Sequence, residues 1–415
     1  MIKRLMETAV VLSCSFILAA GSLVAQNQNG QQRDQAILEQ EQAQAESPNV
    51  DLPLRDFRPQ PKLIVAESGL TAAQFPVIDV HTHFRVRFRN SAKQLDAFVK
   101  SMDAHNIALC VSLDATLGKS LDSHWKYLSK HKDRFAVFVH IDFQGAAPRD
   151  QTSKWACNQP GFAKTIAMQL QEAKRQGALG VKFFKQFGLR YKNIDGSLLT
   201  IDDERWDPIW KACGELEMPV IIHTADPAAF FDPIDKFNER YEELTRRPEW
   251  SFHGDEFPSR DELLESRNRV IERHPSTIFI GAHIANNAED LATVGEWLEQ
   301  YPNLYVEFAS RIAELGRQPY TARRFFIRYQ DRILFGTDGP WPELRLTSYW
   351  RFLETYDENF QYSEKGFPPQ GLWRIHGIGL PEEVLQKIYF KNVLGILPEL
   401  QTRYENASNH LSNSR

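Results

Sequence analysis

Eight short apolar segments recur between residues 75 and 339, and a longer polar or amphipathic stretch follows each of the first seven. The segments are 75–84, 107–114, 135–143, 179–186, 219–226, 277–284, 304–310 and 332–339. Helical spacing of apolar residues is clearest between them at 163–176, 204–217, 260–274 and 289–300. Nearly continuous apolar strands separated by helices are typical of a parallel sheet that is covered on both faces. The pattern therefore predicts an α/β protein.

Eight strand–helix units predict a closed (β/α)8 TIM barrel. The alternative is an open, doubly wound sheet, but no glycine-rich phosphate loop follows the first segment, which disfavours it. Two longer connections, 227–258 and 341–381, interrupt the regular spacing. Loops of that length in a compact domain usually carry function, and we expect both insertions on the same rim of the barrel.

The amino-terminal residues have the pattern of a secretory signal peptide. Lys3 and Arg4 precede an apolar run at 10–20, and small residues lead to Ala25. The run is too short to span a bilayer comfortably, so we predict a cleaved signal peptide at 1–25 and an exported chain, periplasmic or secreted, without stable membrane insertion. A disordered Gln/Pro-rich linker is predicted at 26–60, the barrel domain at 61–400 and a flexible carboxyl-terminal tail at 401–415.

Charge and cysteine content exclude several classes of protein. The 415 residues include 49 Lys+Arg against 54 Asp+Glu, a formal net charge of −5, so the basic excess of a general nucleic-acid binder is absent. Four cysteines are too few for a disulfide framework in a chain of this length. We expect a small-molecule partner, no nucleic acid, and leave a homo-oligomer open.

Five of the twelve histidines fall at the ends of predicted strands. They are His81, His83, His140, His223 and His283. His81 and His83 are two residues apart on one strand and so project from the same face, toward the mouth of the barrel. Reactive groups of this fold gather at the carboxyl ends of the strands, and converging imidazoles there are what a transition metal requires.

Asp338 ends the last predicted strand, in ILFGTDGPW. A carboxylate at the end of an apolar strand needs a cation or several hydrogen-bond donors. A metal would supply the cation, and the carboxylate could then accept the proton of a bound water. The alternative role is to cap the turn that follows at Gly339 and Pro340.

Taken together, these motifs resemble the amidohydrolase-related family, a branch of the amidohydrolase superfamily of metal-dependent hydrolases. VIDVHTHF resembles the His-x-His signature of the first strand, and PVIIHTADP resembles the histidine of the fifth strand. FIGAHIANNAED resembles the sixth-strand histidine, ILFGTDGPW the eighth-strand aspartate, and KNVLGIL the closing helix. The resemblance covers roughly residues 75–398.

The resemblance implies a distorted barrel, a divalent metal, and either hydrolysis or nonoxidative decarboxylation. It implies that His81, His83, His223 and Asp338 are the metal ligands. It also implies that His283 is a polar catalytic group near the metal, which would orient the substrate or stabilise charge that develops on the reacting carbonyl. Three imidazoles and one carboxylate suit Zn²⁺ best, with Mn²⁺ or Fe²⁺ as alternatives.

Further residues are candidates for the site. Some superfamily members bridge two metals with a carboxylated lysine on the fourth strand, where this chain has Lys182 and Lys185. Their odd separation predicts that only one points inward, and we favour a single metal. Arg311 is a candidate clamp for a substrate carboxylate, and Trp341 could cover an apolar substrate. His140 could line the substrate site or belong to a stabilising network.

The leading hypothesis is hydrolysis of an amide, ester or lactone-type bond in a small organic substrate by metal-activated water. Asp338 would take the proton, and His283 would stabilise the developing oxyanion. The first alternative is a metal-dependent decarboxylase of an aromatic or unsaturated carboxylic acid. The second alternative is a non-catalytic, secreted metal-binding protein.

Overall fold

The computed structural model describes residues 35, 52–53, 60, 62–365 and 370–413. The predicted signal peptide at 1–25 lies outside the described residues, and so does the predicted linker apart from residues 35, 52–53 and 60.

Eight parallel strands follow one another around the sheet in chain order. They are β1 (Val77–Thr82), β2 (Ile107–Thr116), β3 (Phe135–His140), β4 (Gly180–Phe183), β5 (Val220–Ile222), β6 (Phe279–Gly281), β7 (Leu304–Glu307) and β8 (Ile333–Leu334). Each lies within or overlaps one predicted apolar segment. The chain forms a nearly closed (β/α)8 TIM barrel, which confirms the predicted fold class.

Contacts between β1 and the residues after β8 bring the two ends of the sheet together. Thr82 forms an isolated parallel bridge with Gly339, and the Asp338 amide donates to the His81 carbonyl at 2.8 Å. The Asp79 carboxylate accepts from the amides of His81 and Thr337 at 3.0 and 3.1 Å. Burial raises the pKa of Asp79 to about 7 despite these hydrogen bonds. Barrel closure therefore places Asp338 beside the end of β1.

Helices connect the strands and cover the sheet. They are α1 (Phe84–Arg87), α2 (Ala92–Ala104), α3 (Lys119–Leu128), α4 (Phe162–Arg175), α5 (Asp207–Glu215), α6 (Tyr241–Arg246), α7 (Arg260–Arg273), α8 (Leu291–Gln300), α9 (Ile312–Leu315), α10 (Pro319–Arg328), α11 (Glu343–Glu354), α12 (Glu382–Gln386), α13 (Asn392–Ile396) and α14 (Gln401–Asn413). A π-helical turn, Lys387–Lys391, joins α12 to α13. The four helices predicted from spacing correspond to α4, α5, α7 and α8.

Local sequence signals explain where these helices start and what they bury. Ser259 and Glu262 form a reciprocal capping box that begins α7. Between β4 and α5, the ring of Phe183 packs on that of Trp210 with centroids 4.2 Å apart. Aromatic pairs of this kind add to the apolar burial between the sheet and its helices.

A flexible tail was predicted from residue 401, but residues 401–413 form the helix α14, so the prediction was wrong for these residues. Tyr404, Ala407 and Leu411 share one face of this helix, and all three are buried in an apolar cluster that also contains Leu109 of β2. The Tyr404 hydroxyl donates to the carbonyl of Pro76 at 3.1 Å. The last helix is therefore part of the barrel domain.

Among the described residues, no helix combines the length and the apolar character needed to cross a membrane.

Truncation of Leu411 tests whether α14 contributes to the stability of the barrel. We expect Leu411→Ala to lower the free energy of unfolding by about 2–4 kcal/mol, because it leaves a cavity in a packed apolar cluster. Asn409→Ala, on the exposed face of the same helix, should change it by less than about 0.5 kcal/mol. Urea denaturation followed by circular dichroism measures both. Equal, negligible effects would show that α14 is not packed on the barrel.

Candidate metal and substrate site

A cavity of about 780 Å³ opens at the carboxyl ends of the strands. His223, His283 and Asp338, which follow β5, β6 and β8, line it. The insertion at 227–258 and the insertion at 341–381 both contribute to its walls. The prediction that the two insertions lie on the same rim is confirmed.

His81 and His83 lie side by side at the end of β1, with ring centroids 5.2 Å apart. One ligand atom each from His81, His83 and Asp338 all lie within 4.8 Å of one another. Alternation along β1 brings the two imidazoles to one face, and closure of the barrel brings the carboxylate to them. Three of the four predicted ligands thus form one group.

A buried carboxylate contacts the Nδ1 atom of each of these two imidazoles. The His81 Nδ1 lies 2.8 Å from Glu307 Oε1, and the His83 Nδ1 lies 2.7 Å from Asp114 Oδ1. An ionised carboxylate only accepts hydrogen bonds, so it favours the tautomer with the proton on Nδ1 and leaves Nε2 as the free electron-pair donor. Burial holds the pKa of His81 well below its ordinary value, and the charge of Lys182 lowers it further. Neutral, carboxylate-oriented imidazoles are the form that binds a metal.

Asp338 has a left-handed backbone (φ 61°) just after β8. Its carboxylate accepts from Arg87 Nη2 and from the hydroxyl of Ser310, both at 3.2 Å. Burial opposes ionisation, but His81, His83 and Arg87 outweigh it and hold the pKa of Asp338 below its ordinary value. The carboxylate is therefore ionised at neutral pH.

The arrangement fits a divalent cation on two observations. The Nε2 atom of His83 lies 4.0 Å from Asp338 Oδ1, and two metal–ligand bonds of about 2.1 Å can span up to about 4.2 Å. In addition, the buried Nε2 of His223 has no hydrogen-bond partner in the described part of the chain. Buried polar atoms without a partner are rare unless an ion, water or ligand satisfies them.

His223, the fourth predicted ligand, packs against the ring of His283. Its ring contacts that of His283 at 4.5 Å between centroids, and that of His283 contacts His81 at 5.0 Å. His223 Nε2 is 3.6 Å from Asp226 Oδ1, which is beyond hydrogen-bond range. Burial, followed by the charges of Lys182 and Lys185, holds the pKa of His223 well below its ordinary value. His223 lines the same cavity but is not a member of the 4.8 Å group.

His283 begins a strained segment rather than ending a strand. β6 stops at Gly281, and residues 283–286 all have positive φ, between 49° and 59°. Each left-handed residue other than glycine costs about 1–2 kcal/mol, so other contacts must hold the segment in place. The His283 amide donates to Glu307 Oε1 at 2.9 Å, and the His283 Nδ1 donates to the Ala309 carbonyl at 2.7 Å.

Of the two roles expected of His283, these contacts favour orientation of the substrate over stabilisation of an oxyanion. A carbonyl oxygen is only an acceptor, so Nδ1 carries the proton, and burial holds the pKa of His283 well below its ordinary value. Nε2 is therefore an acceptor at neutral pH and cannot donate to an oxyanion. His283 is suited to accept a hydrogen bond or a proton in the cavity.

Glu307 and Asp114 are functional candidates that the motif analysis missed. Glu307 is fully buried, and its Oε1 accepts from both His81 and His283, while its Oε2 accepts from the Ala309 amide at 2.5 Å. Its oxygens are thus occupied by N–H donors, so it orients the imidazole rather than competing as a metal ligand. Each residue is an acidic side chain in an apolar strand segment, LYVEFAS and IALCVSLD, and this was the available signal.

Of the two candidate lysines, Lys185 lines the cavity and Lys182 does not. Lys182 is buried in β4, and its Nζ finds no hydrogen-bond partner within the described ranges. Burial lowers the pKa of Lys182 to about 8, although the negative charges of Glu307 and Asp338 act to raise it. Lys185 lies beyond the end of β4, where strand alternation no longer applies, and it lines the cavity and pairs with Asp226.

The predicted substrate-binding residues divide into two groups. Arg311, which is only 7 % exposed, and Trp341 both line the cavity. His140 is not among the lining residues, which agrees with the alternative role in a stabilising network. Its Nε2 lies 3.0 Å from the Thr116 hydroxyl and its ring packs on Phe184, so it belongs to the wall of the barrel.

The chain belongs to the amidohydrolase family, whose model matches residues 78–393. Members of this family are enzymes, either hydrolases or decarboxylases, and the family is metal-dependent. A comparison with curated proteins gives no match.

Solved structures with a similar fold include three of low sequence identity. An uncharacterized TIM-barrel protein, Bb4693 from Bordetella bronchiseptica, is 16 % identical with a TM-score of 0.46, covering 79 % of this chain and 99 % of that one. The 5-carboxyvanillate decarboxylase from Novosphingobium aromaticivorans, complexed with manganese and 4-hydroxy-3-methoxy-5-nitrobenzoic acid, is 12 % identical with a TM-score of 0.42, covering 79 % and 96 %. An amidohydrolase from Burkholderia multivorans with bound HEPES is 11 % identical with a TM-score of 0.43, covering 77 % and 98 %.

Replacing Glu307 by glutamine tests its role in orienting His81. Three N–H groups converge on the carboxylate, whereas an amide has one acceptor oxygen and would turn its own NH₂ toward a donor. We expect Glu307→Gln to weaken metal binding about 10–100-fold, as measured by competition with a chelating dye. Glu354→Gln is the control, because within the described residues Glu354 accepts hydrogen bonds from Tyr389 and Gln74 and from no residue of the candidate site. Unchanged metal affinity in a folded Glu307→Gln protein would contradict the assignment.

Proposed function

We propose that this protein is a metal-dependent hydrolase that cleaves an amide, ester or lactone-type bond of a small organic substrate. The observation that carries the proposal is the group of His81, His83 and Asp338 within 4.8 Å, with both imidazoles held at Nδ1 by buried carboxylates. Asp338 lines a 780 Å³ cavity, which is large enough for a small organic molecule.

His81, His83, His223 and Asp338 would hold the metal. Zn²⁺ is the proposed ion, because imidazole nitrogens and one carboxylate oxygen are its common donors, and Mn²⁺ or Fe²⁺ accepts the same set. Such an ion supplies two effects, a lowered pKa of water and polarisation of a substrate carbonyl. A single metal is proposed, since the second cluster of possible ligands, His81, His283 and Glu307, shares His81 with the first, and the Glu307 oxygens already accept from N–H donors.

The residues of the chain divide the remaining tasks. Asp338 is ionised and takes the proton of the attacking water, then returns a proton to the leaving group. His283 Nε2 accepts a hydrogen bond from the water or from a substrate hydroxyl, which orients it for attack. Arg311 donates to oxygens of the substrate from the cavity wall.

Metal analysis of purified protein tests the proposal directly. We expect about one divalent metal per chain in the wild type. The His81→Ala variant should lose the metal, and its hydrolytic activity should fall at least about 100-fold, because the substitution removes one proposed ligand and leaves the Glu307 carboxylate without its imidazole partner. The control variant His140→Ala removes a strand-end histidine that does not line the cavity, and it should keep both the metal and the hydrolytic activity. If folded His81→Ala protein retained its full metal content, the ligand assignment would be wrong.

Decarboxylation of an aromatic or unsaturated acid is the second candidate, and one observation favours it. The guanidinium of Arg311 lies buried in the cavity wall, and no carboxylate of the described residues lies within ion-pairing distance of it. Such a guanidinium is suited to hold a substrate carboxylate. In that reaction the carbon–carbon bond breaks, CO₂ leaves, and a proton is delivered to the carbon.

A product assay separates the two reactions. The metal-loaded protein is incubated with matched panels of lactones, esters and amides and of hydroxybenzoate-like acids. Hydrolysis yields an acid without CO₂, whereas decarboxylation yields CO₂ and no new acid. We expect products from the first panel, and CO₂ from the second panel alone would replace the proposed hydrolase by the decarboxylase.

A further inference from the structure

Positive charge dominates the cavity of a protein whose net charge is negative. Eight lysine and arginine side chains line the cavity against three carboxylates, while the whole chain carries −5. A cleft lined mainly by one sign of charge concentrates ligands of the opposite sign. The bound divalent metal required by the proposed function would add further positive charge.

Most of these cations already have an acidic partner. All three lining carboxylates are paired with lining cations: Asp226 with Lys185, Glu243 with Arg240 and Asp338 with Arg87. Two more lining cations pair with acids outside the cavity: Arg246 with Glu242 and Arg247 with Glu249. The net positive charge of the cavity therefore comes from the lining cations that have no acidic partner.

Arg311, Arg345 and Lys365 remain without a carboxylate within 4 Å among residues 62–365 and 370–413. Lys365 is exposed at the edge of the cavity. Arg311 is 7 % exposed and makes one hydrogen bond, from Nη1 to the carbonyl of Ser310 at 2.9 Å. A buried guanidinium has five donors, so most of those of Arg311 are left for a ligand.

Arg345 is held in a different way. Its guanidinium carbon lies 3.5 Å from the centroid of the Trp341 ring, and that of Arg87 lies 4.1 Å from the same ring. Stacking on the indole orients the guanidinium plane but leaves its N–H groups free to bind an anion. Because Arg87 is paired with Asp338, Arg345 is the guanidinium of this stack that can bind a ligand.

Both arginines are connected to Asp338 through one intervening residue. Arg311 donates to the carbonyl of Ser310, whose hydroxyl donates to Asp338 at 3.2 Å. Arg345 shares the Trp341 ring with Arg87, whose Nη2 donates to Asp338 at 3.2 Å. A ligand beside Asp338 would therefore lie in the cavity that both guanidinium groups line.

We propose that the substrate is a small organic dianion, with one oxyanion group bound by Arg311 and a second bound by Arg345. This inference rests on the proposed function, because it assigns the ligand class of the same site. Carboxylate and sulfonate-like groups share the chemistry that arginine recognises. The aromatic rings of Phe230, Trp250 and Trp341 line the cavity and provide apolar contact for the part of the molecule between the two groups.

Binding of matched probes tests the inference without any need for turnover. Isothermal titration calorimetry compares isophthalate and 3-sulfobenzoate with benzoate, and adipate with hexanoate, on full-length protein with its metal and after chelation. We expect at least one dianion to bind about tenfold or more tightly than its matched monoanion in both states, because a second charged hydrogen bond is gained. The dianion that binds identifies the second group as a carboxylate or a sulfonate.

Variants then assign the two subsites. Arg311→Met and Arg345→Met should each reduce the preference for the dianion to less than about threefold, whereas Arg269→Met should preserve it, since Arg269 pairs with Asp202 and does not line the cavity. Arg311→Lys keeps the charge and should retain part of the preference if Arg311→Met fails to fold. An unchanged preference in folded Arg345→Met protein, or equal binding of both members of every probe pair, would overturn the proposal.

The test separates this inference from the proposed function. If dianions and their matched monoanions bound equally while metal content and hydrolysis were intact, the inference of a dianionic substrate would be wrong and the proposed function would stand. A clear preference for dianions in protein that binds no metal would overturn the proposed hydrolase and leave the anion site standing.

Discussion

Three N–H groups converge on the buried carboxylate of Glu307, and the candidate active site depends on this contact. They come from the ring of His81, from the amide of His283 and from the amide of Ala309. A fully buried charge is tolerated only when donors of this kind compensate for its lost hydration. Because one acceptor serves both His81 and His283, the orientation of a candidate metal ligand and the strained turn that presents His283 are physically coupled.

Closure of the barrel supplies the other half of the site. Asp338 and His83 are far apart in sequence, yet the pairing of residues 337–339 with the end of β1 brings their side chains to 4.0 Å. Asp79 reinforces this seam by accepting from amides on both sides of it. The metal-binding geometry is therefore a consequence of strand pairing, and the insertions supply the aromatic rings and most of the cationic side chains around it.

Periodicity was sufficient to predict the eight strands and the barrel, and the family resemblance supplied the grouping of His81, His83 and Asp338. Features that depend on distant partners were not predictable in the same way. The protonated nitrogen of His283 is set by a carbonyl at residue 309, and Lys185 reaches the cavity because β4 ends at Phe183. The helix at 401–413 was missed although its apolar residues recur at helical spacing, because a polar carboxyl-terminal segment is usually loose.

The packing of α14 bears on how this polypeptide acquires its structure during synthesis. The hydroxyl of Tyr404 bonds to the carbonyl of Pro76, a contact between residues 328 positions apart, and β1 also pairs with the residues after β8. Contacts of such sequence separation form late, because the intervening chain must first be ordered. The barrel therefore cannot close before residues 337–339 and α14 have been synthesised, and until then the apolar strands at its amino-terminal end lack these partners.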